Sequence, residues 1–522
     1  MNFLKRCWQK RWLRRLTWTG VTLVTFYALL CAWVNWSGAR QWRATQTMLK
    51  AEGETLDFRA TMNEPIPEAD NFCAIQLLKD LALVVDNDHD KGAPAQNRKR
   101  LQALKLPSHG KGGELPRVTN AALGKRADLK AWAGWLRKEG SLPMPADSGD
   151  AARDVLAALA KHDAVVQELA AGLDRRQAQW TPEWKTRPLP PLLANLALPH
   201  YASVQAMNPT LALRAIAAAR AGDAAKAHET ALILARLDQA CLNDPFLIGQ
   251  LVGAAGAPML HGAVWELCDA HAGTAEDFTK LESALASLDL HRAALHAWRS
   301  EAAGMVDTVQ CLKERRDDIP GLFRMFKSGC QSGPSGADRL MRLVPAGFFD
   351  ASAAVLADRE FHYVIQPLKE HGWRQALASA QDLENEVIAM KQKVWTHPSY
   401  IMAAMVVPAT KGVISRCIHA HALVDQALIA CALERWRIGN GNYPDSLRAV
   451  TLADGRPLPP DVMSGKPMSY RKTANGRYAL WSVGFDGKDD GGKRTLDEKK
   501  PEDTKFCDAA YVGDWVWDFP AK

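Results

Sequence analysis

Pairs of histidines on one helix face can bind a metal or relay a proton, so the histidine spacings are the first place to look for chemistry. His419 and His421 stand two apart in a helical stretch and face different sides. His291 and His296 are five apart and at best adjacent, so core or surface histidines is the plainer reading of all four. Glu301 falls in a predicted helix from His291 to Glu314 and would suit general acid–base work if buried. Spacing gives it no partner carboxylate, and a surface ion pair explains it as well. Trp395-Thr396-His397-Pro398-Ser399-Tyr400 mixes aromatic and polar groups that would line a groove or a loop packed on the body. No H-E-x-x-H, P-loop or G-x-S-x-G occurs, and Gly333-Pro334-Ser335-Gly336 is one residue short of the last. The motifs therefore assign no catalytic residue.

The cysteines stand at positions 7, 31, 73, 241, 268, 311, 330, 417, 431 and 507, none in C-x-x-C spacing, which argues against a zinc ribbon or a thioredoxin-type site. The eight after position 31 are an even set that an oxidising compartment could bridge, with the pairing open. Cys417 and Cys431 share a predicted helix and lie about 21 Å apart, too far to pair with each other.

The elements that must position these residues begin with an anchor. No charged residue occurs from Leu16 to Ala39, and a helix over Leu16 to Trp36 rises about 31 Å, matching a hydrocarbon core of about 30 Å. Trp8, Trp12 and Trp18 flank one end, and Trp33, Trp36 and Trp42 the other, as interfacial aromatics do. Six basic residues precede the span, which predicts a cytoplasmic N-terminus and a body on the far side. A cleaved leader ending at Ser37-Gly38-Ala39 is the alternative, although the apolar stretch is long for one. Lipidation of Cys31 is disfavoured by Leu30 before it.

The formal charge is +7, yet residues 1–43 hold eight Lys or Arg and no acid, leaving 57 basic against 58 acidic residues downstream. The body is near neutral, and no nucleic-acid footprint is indicated. With 47% apolar residues over 522, the chain can bury a large core.

Behind the span, residues 41–60 continue as a helix until Pro65-Ile66-Pro67. A short helix over 71–86 and a polar loop or flexible insertion over 87–126 follow. Ala151 to Trp180 reads as one helix closed by the Pro-rich run 182–191. Leu211 to Ala221 and Ala224 to Leu242 form a helical hairpin about Gly222-Asp223; its 34-residue period does not recur, which favours a bundle over a tetratricopeptide array. Helices are also predicted at 245–271, 275–288, 290–315, 347–369 and 371–393, with a loop at Gly329 to Gly336. A long helix from Ile401 or Gly412 to Arg437 stops at Gly439-Asn440-Gly441-Asn442. Strands at 468–471 and 477–483 flank the hairpin signal Thr473-Ala474-Asn475-Gly476.

In this last region Ala432-Leu433-Glu434-Arg435-Trp436-Arg437, Asn440-Gly441-Asn442-Tyr443-Pro444, Ser464-Gly465-Lys466-Pro467 and Tyr478-Ala479-Leu480-Trp481-Ser482-Val483-Gly484-Phe485-Asp486-Gly487 follow in order. That order resembles the globular part of the major pseudopilins of type II secretion, over about residues 412–518. The layout of the whole chain resembles membrane-anchored envelope proteins of planctomycete and verrucomicrobial bacteria, which implies an address and no activity. The pseudopilin resemblance implies Ca2+ in the loop after the hairpin, with Asp486 and Asp514 matching the family's carboxylates and Asp489 and Asp490 as local additions. A Gly-rich acidic loop can supply the six to eight oxygens that calcium takes. The plainer reading is a solvated Asp/Gly turn, and an EF-hand is disfavoured by Lys488 in its third position. Gly20-Val21-Thr22-Leu23-Val24-Thr25 is faintly similar to a prepilin cleavage site, but Thr25 stands where filament assembly uses glutamate.

The expectation is a mainly α protein of the bacterial inner membrane. It has a cytoplasmic tail (1–15), a transmembrane helix (16–39), a helical periplasmic body (40–400) and a long helix with a small antiparallel β, pseudopilin-like domain (401–522). Its expected role is a non-enzymatic scaffold or secretion-associated binding protein, partnered by the membrane and other envelope proteins; the alternative is a periplasmic hydrolase.

Overall fold

Helix α1 (Arg11–Ala51) runs unbroken through the predicted span and on towards the body in this computed structural model. It ends where Gly53 takes φ 77° and Glu54 N–H donates to Leu49 O, a turn that only glycine adopts freely. The structure describes residues 11–79, 81, 93–106, 114–180, 198–316, 343–407 and 409–520. The basic residues before Arg11, Cys7, Cys330, the run 182–191 and the loop 329–336 lie outside them.

The body is helical, and side-chain caps start five of its α-helices among the described residues. Asp128 opens α2 (Leu129–Glu139) and Asp150 opens α3 (Ala151–Leu159), each accepting backbone N–H groups the helix leaves free. α4 (Pro199–Ala221) and α5 (Ala224–Leu242) form the expected hairpin, with Gly222 at φ 85° and Asp223 capping α5. α6 (Leu247–Asp269) packs on both. α7 (Ala275–Ala286) starts with a Thr274/Asp277 capping box, and Asp289 caps α8 (Leu290–Glu314). α9 (Ala346–Glu360) passes through a π-helical turn, Phe361–Ile365, into α10 (Gln366–Gln392), which kinks at Gly372. α11 (Tyr400–Val406) and α12 (Thr410–Asn440) lead to a three-stranded antiparallel sheet of β1 (Ser469–Lys472), β2 (Tyr478–Ser482) and β3 (Trp515–Trp517). Its register pairs Ser469 with Trp481 and Leu480 with Trp517.

Three expectations are corrected, the first being the helix read over 41–60, which ends at Ala51. The helix read over 151–180 breaks at Ala160–His162 and its second part ends at Ala170. There Gly172 lies so close to Ile75 and Phe72 that a β-carbon would be 3.0 Å from Ile75, and the chain then bridges Asn71 through Gln177. The stretch 87–126, read as a flexible insertion, contains a helix at Ala93–Gln102, because Leu101, Leu104 and Leu106 are buried against the core.

Among the described residues three helices are long and apolar enough to cross a membrane, by length and composition: α1, α6 and α12. They differ in what they expose. The most apolar window of α1 is 0% buried, whereas those of α6 and α12 are 67% and 94% buried inside the protein. The apolar surface of α6 and α12 is thus spent on the core, and α1 alone of the three leaves its own bare. One apolar cluster runs from Phe72 to Trp517, so α12 and the sheet share the core of the body. Gln426 Nε2 donates to Trp515 O at 2.7 Å and Trp265 Nε1 to Asp518 O at 2.9 Å, which ties the sheet to α12 and α6.

Candidate functional site

The N-terminal helix α1 and the body meet in a close helix pair. A β-carbon on Gly38 would stand 1.9 Å from Gly347 O, and one on Gly347 would stand 2.1 Å from Val34 O, so α1 and α9 touch backbone to backbone. Asn35 Oδ1 accepts Gly347 N–H at 2.7 Å, so the anchor itself caps the first turn of α9. Further along, Glu54 takes Arg299 in a bidentate pair at 2.7 Å and Lys369 at 3.3 Å, with the carboxylate nearly buried.

Beside this seam lies a cavity of about 710 Å3. One wall is α1, from Tyr27 through Leu30, Trp33 and Val34 to Ser37 and Gln41; the others are Val344 to Ala351 and the loop Thr396 to Met402. The aromatic-polar run 395–400 thus does line a groove. Trp395 next to it is 94% exposed, and His397 stacks on Tyr400 with ring centres 5.0 Å apart. The lining is mostly apolar, as ligand pockets generally are.

A second, polar cleft of about 240 Å3 lies among Asn63, Gln239, Asn243, Ser287, Arg292 and His296. Its side chains mostly serve the local backbone. Ser287 Oγ donates to Ala284 O at 2.6 Å and accepts Gln239 Nε2 at 2.9 Å, and Asn243 Nδ2 donates to Ala178 O at 2.8 Å. Burial lowers the pKa of His296 and keeps its ring neutral, and its Nε2 is enclosed with no partner among the described residues. Next to Asn243, buried Asp244 accepts Tyr201 Oη at 2.7 Å and meets His200 Nε2 at 3.0 Å. No nucleophile with a general base in hydrogen-bond reach lines the cleft, among the described residues.

Several acids inside the body are held neutral by desolvation. Glu360, at the α9 end just before the π turn, is 1% exposed, and both its carboxyl oxygens lack partners among the described residues. Burial, then the charge of Glu301, pushes its pKa up to about 8. Glu301 is half-buried and accepts Leu247 N–H, so the surface ion pair gives way to a carboxyl bonded to the backbone, whose charge raises the pKa of Glu360. Asp238, raised by burial, meets Asn208 at 3.4 Å where Gly256 leaves the room; a β-carbon there would lie 2.0 Å from its Oδ1. Such groups can hold or donate a proton, and a π turn beside one is a feature frequent at functional sites.

The four aspartates read as calcium ligands come together around one turn. Asp514, fully buried before β3, accepts Gly492 N–H at 2.7 Å, Lys493 N–H at 3.3 Å and Asp490 N–H at 3.4 Å. Asp489 accepts Trp481 Nε1 at 2.9 Å, Gly491 N–H at 2.9 Å and Ser469 Oγ at 3.1 Å. Asp486 Oδ1 accepts Lys488 N–H at 3.1 Å, whereas its Oδ2 is enclosed without a partner among the described residues. Asp490 is exposed. No group of three or more His, Cys, Asp or Glu is arranged to hold a metal, among the described residues.

The other sequence candidates are structural. His421 accepts Trp373 Nε1 at 2.9 Å while His291 meets the same ring edge-on, and His419 packs between Phe506 and Trp515. The cysteines at 31, 73, 241, 268, 417, 431 and 507 are free thiols, and those at 73, 241, 268, 417 and 431 are buried. Sequence reading missed Gly38, Gly347 and Glu360, but one signal was available. Residues 343–349 and the 17 residues 394–410, which include the body's cavity-lining residues apart from Ala351, carry no Asp, Glu, Lys or Arg.

No family model matches the chain, and no curated protein or solved structure matches it either. What fold and site define is a mainly helical protein whose N-terminal helix is long and apolar enough to span a membrane and is joined to the body by a packed seam.

Proposed function

We propose that the chain is a single-pass envelope protein of the bacterial inner membrane, with its N-terminus cytoplasmic and its body periplasmic. It works there as a non-enzymatic scaffold that binds a secretion or envelope partner. The observation carrying this reading is the bare apolar face of α1 combined with its backbone-close seam to α9, which holds the body rigidly against the bilayer rather than on a tether. The pseudopilin-like succession of a long helix, hairpin, acidic turn and closing strand supports the secretion association. The hydrolase alternative is served less well, since the cleft's hydroxyl and amides are already engaged, Ser287 with Ala284 O and the Gln239 amide, and Asn243 with Ala178 O. Protease added to intact spheroplasts is expected to digest the body, leaving only the α1 region protected. Digestion only after lysis would reverse the orientation. Pull-down from solubilised membranes is expected to bring a stoichiometric partner; recovery of the protein alone would sink the scaffold reading.

A second reading, Ca2+ at the 484–493 turn, is favoured by the enclosed, unpartnered Oδ2 of Asp486 beside Asp489 and Asp514. Asp486 and the exposed Asp490 would hold the ion with main-chain carbonyls, while Asp514 shapes the turn. Millimolar calcium is expected to raise the melting temperature of the detergent-solubilised full chain by several degrees, and Asp486→Asn to abolish the shift. An unchanged melting temperature in the unsubstituted chain rejects the site.

A further inference from the structure

We propose that the cavity between α1, α9 and the 395–402 loop holds one acyl chain of a membrane phospholipid, drawn in from the bilayer beside the anchor. This rests on the reading that α1 spans the membrane. The cavity wall on α1 runs from Tyr27 to Gln41, about 21 Å along the axis, against about 15 Å for the hydrocarbon of one leaflet. Tyr27, Leu30 and Trp33 are also part of the exposed apolar surface of the helix, so the cavity is continuous with the face that meets lipid. Along α1 the apolar lining comes first, and Ser37 and Gln41 follow, the order in which a lipid's tail leads to its headgroup.

The body walls agree. Val344 to Phe349 and Thr396 to Met402 belong to stretches without Asp, Glu, Lys or Arg, bounded by Arg342 and Asp350 and by Lys393 and Lys411. On the 394–410 side charged residues return only outside the lining; on the other, Asp350 between the lining residues Phe349 and Ala351 is nearly buried and paired with Lys313 at 2.8 Å, as expected of segments lying at membrane depth. Leu343, 58% exposed, and Trp395, 94% exposed, extend the apolar belt beyond α1 onto the body, and an exposed tryptophan is stable at a lipid–water interface. A water-filled, mostly apolar chamber opening on lipid would leave this surface unsatisfied, and an acyl chain covers it at no cost in charge.

The test uses the full chain in vesicles of phosphatidylethanolamine carrying a diazirine in the acyl chain, with adducts mapped by mass spectrometry. Met402 and Phe349 line the cavity yet are each only 2% exposed, so bulk lipid does not reach them. Adducts are expected on them as well as on outward-facing Leu23. Ala351→Trp fills the cavity and is expected to cut labelling at Met402 about tenfold, a loss of about 1.4 kcal/mol of occupancy, while Leu23 keeps its adduct. Ser399→Trp, on the loop wall, gives the same result if the first variant folds poorly. Labelling of Leu23 without Met402 and Phe349 overturns the proposal and leaves the span intact. Labelling of none of them overturns the span itself. Labelling of Met402 that neither tryptophan reduces also overturns the proposal, because the adduct then arises outside the cavity.

Discussion

Glu360→Gln is expected to stabilise the protein strongly at pH 9 and to change nothing at pH 4.5. The carboxyl is buried without a partner among the described residues, and its pKa stands at about 8, against about 4.3 for an unfolded chain. Between these values the folded state keeps a proton that the unfolded state releases. Stability therefore falls as pH rises through the window of about 4.5 to 8, and is flat on either side. The full penalty above the window has an upper bound of about 5 kcal/mol, at about 1.4 kcal/mol for each pH unit that separates the folded from the unfolded value. Glutamine has nearly the shape of the protonated acid and leaves a comparable polar group unpaired, so the substitution removes the titration and little else. Other acids with raised pKa values slope the same way, buried Glu266 at about 7 and Asp307 at about 6, so the variant must be compared with the unsubstituted chain at each pH. Thermal melts of both proteins from pH 4.5 to 9 decide the matter. A difference in melting temperature that stays constant across the range would mean that Glu360 is not the neutral acid described.

Gly347→Leu is expected to open the seam between anchor and body. The clash of its β-carbon is with Val34 O, 2.1 Å away, and Asn35 sits beside it on the same rigid helix turn. A side-chain neighbour could rotate away, but a helix backbone cannot, so α1 and α9 must separate along their length. The cost is expected at or above the top of the range of about 1–3 kcal/mol for overpacked cores. It also removes the Asn35 cap from α9. Trypsin cleavage after exposed Arg40 and Arg43, measured in detergent, is expected to accelerate, with a lower melting temperature. Gly20→Leu provides the control: nothing lies within 4 Å of a β-carbon there, and no effect is expected. Equal behaviour of the two variants would refute a specific seam and leave α1 as a simple tether.

Both variants act where neighbouring elements meet, which is where a one-dimensional reading is weakest. The α4–α5 hairpin, α6, α7, α8 and the β1–β2 turn were legible because each carries its own local signal: 3.6-residue periodicity, a capping Asp or Thr, or a glycine such as Gly222 or Gly476 at positive φ. The same local logic misled at 151–180, where alanine-rich periodicity continued past the point at which contact with Phe72 and Ile75 ends the helix. The four aspartates lie within 29 residues of one another, and their grouping was visible from the loop alone. Which of their oxygens are consumed by Gly492, Trp481 or Ser469 was not.

By itself the sequence determined that the chain is mainly helical, that its basic excess belongs to the anchor region, and that residues 16–39 can cross a bilayer, because charge, hydropathy and period are properties of contiguous residues. Tertiary structure alone decided that α6 and α12, nearly as apolar, bury most of their apolar windows inside the protein while α1 leaves its own exposed, since only packing tells which apolar face meets protein. It also decided that Gly38 meets Gly347, 309 positions away, that the charge of Glu301 reaches Glu360, and that segments near 344–351 and 396–402 close a cavity against α1. Each of these depends on two distant segments occupying one place, and burial, proton affinity and cavity shape exist only once they do.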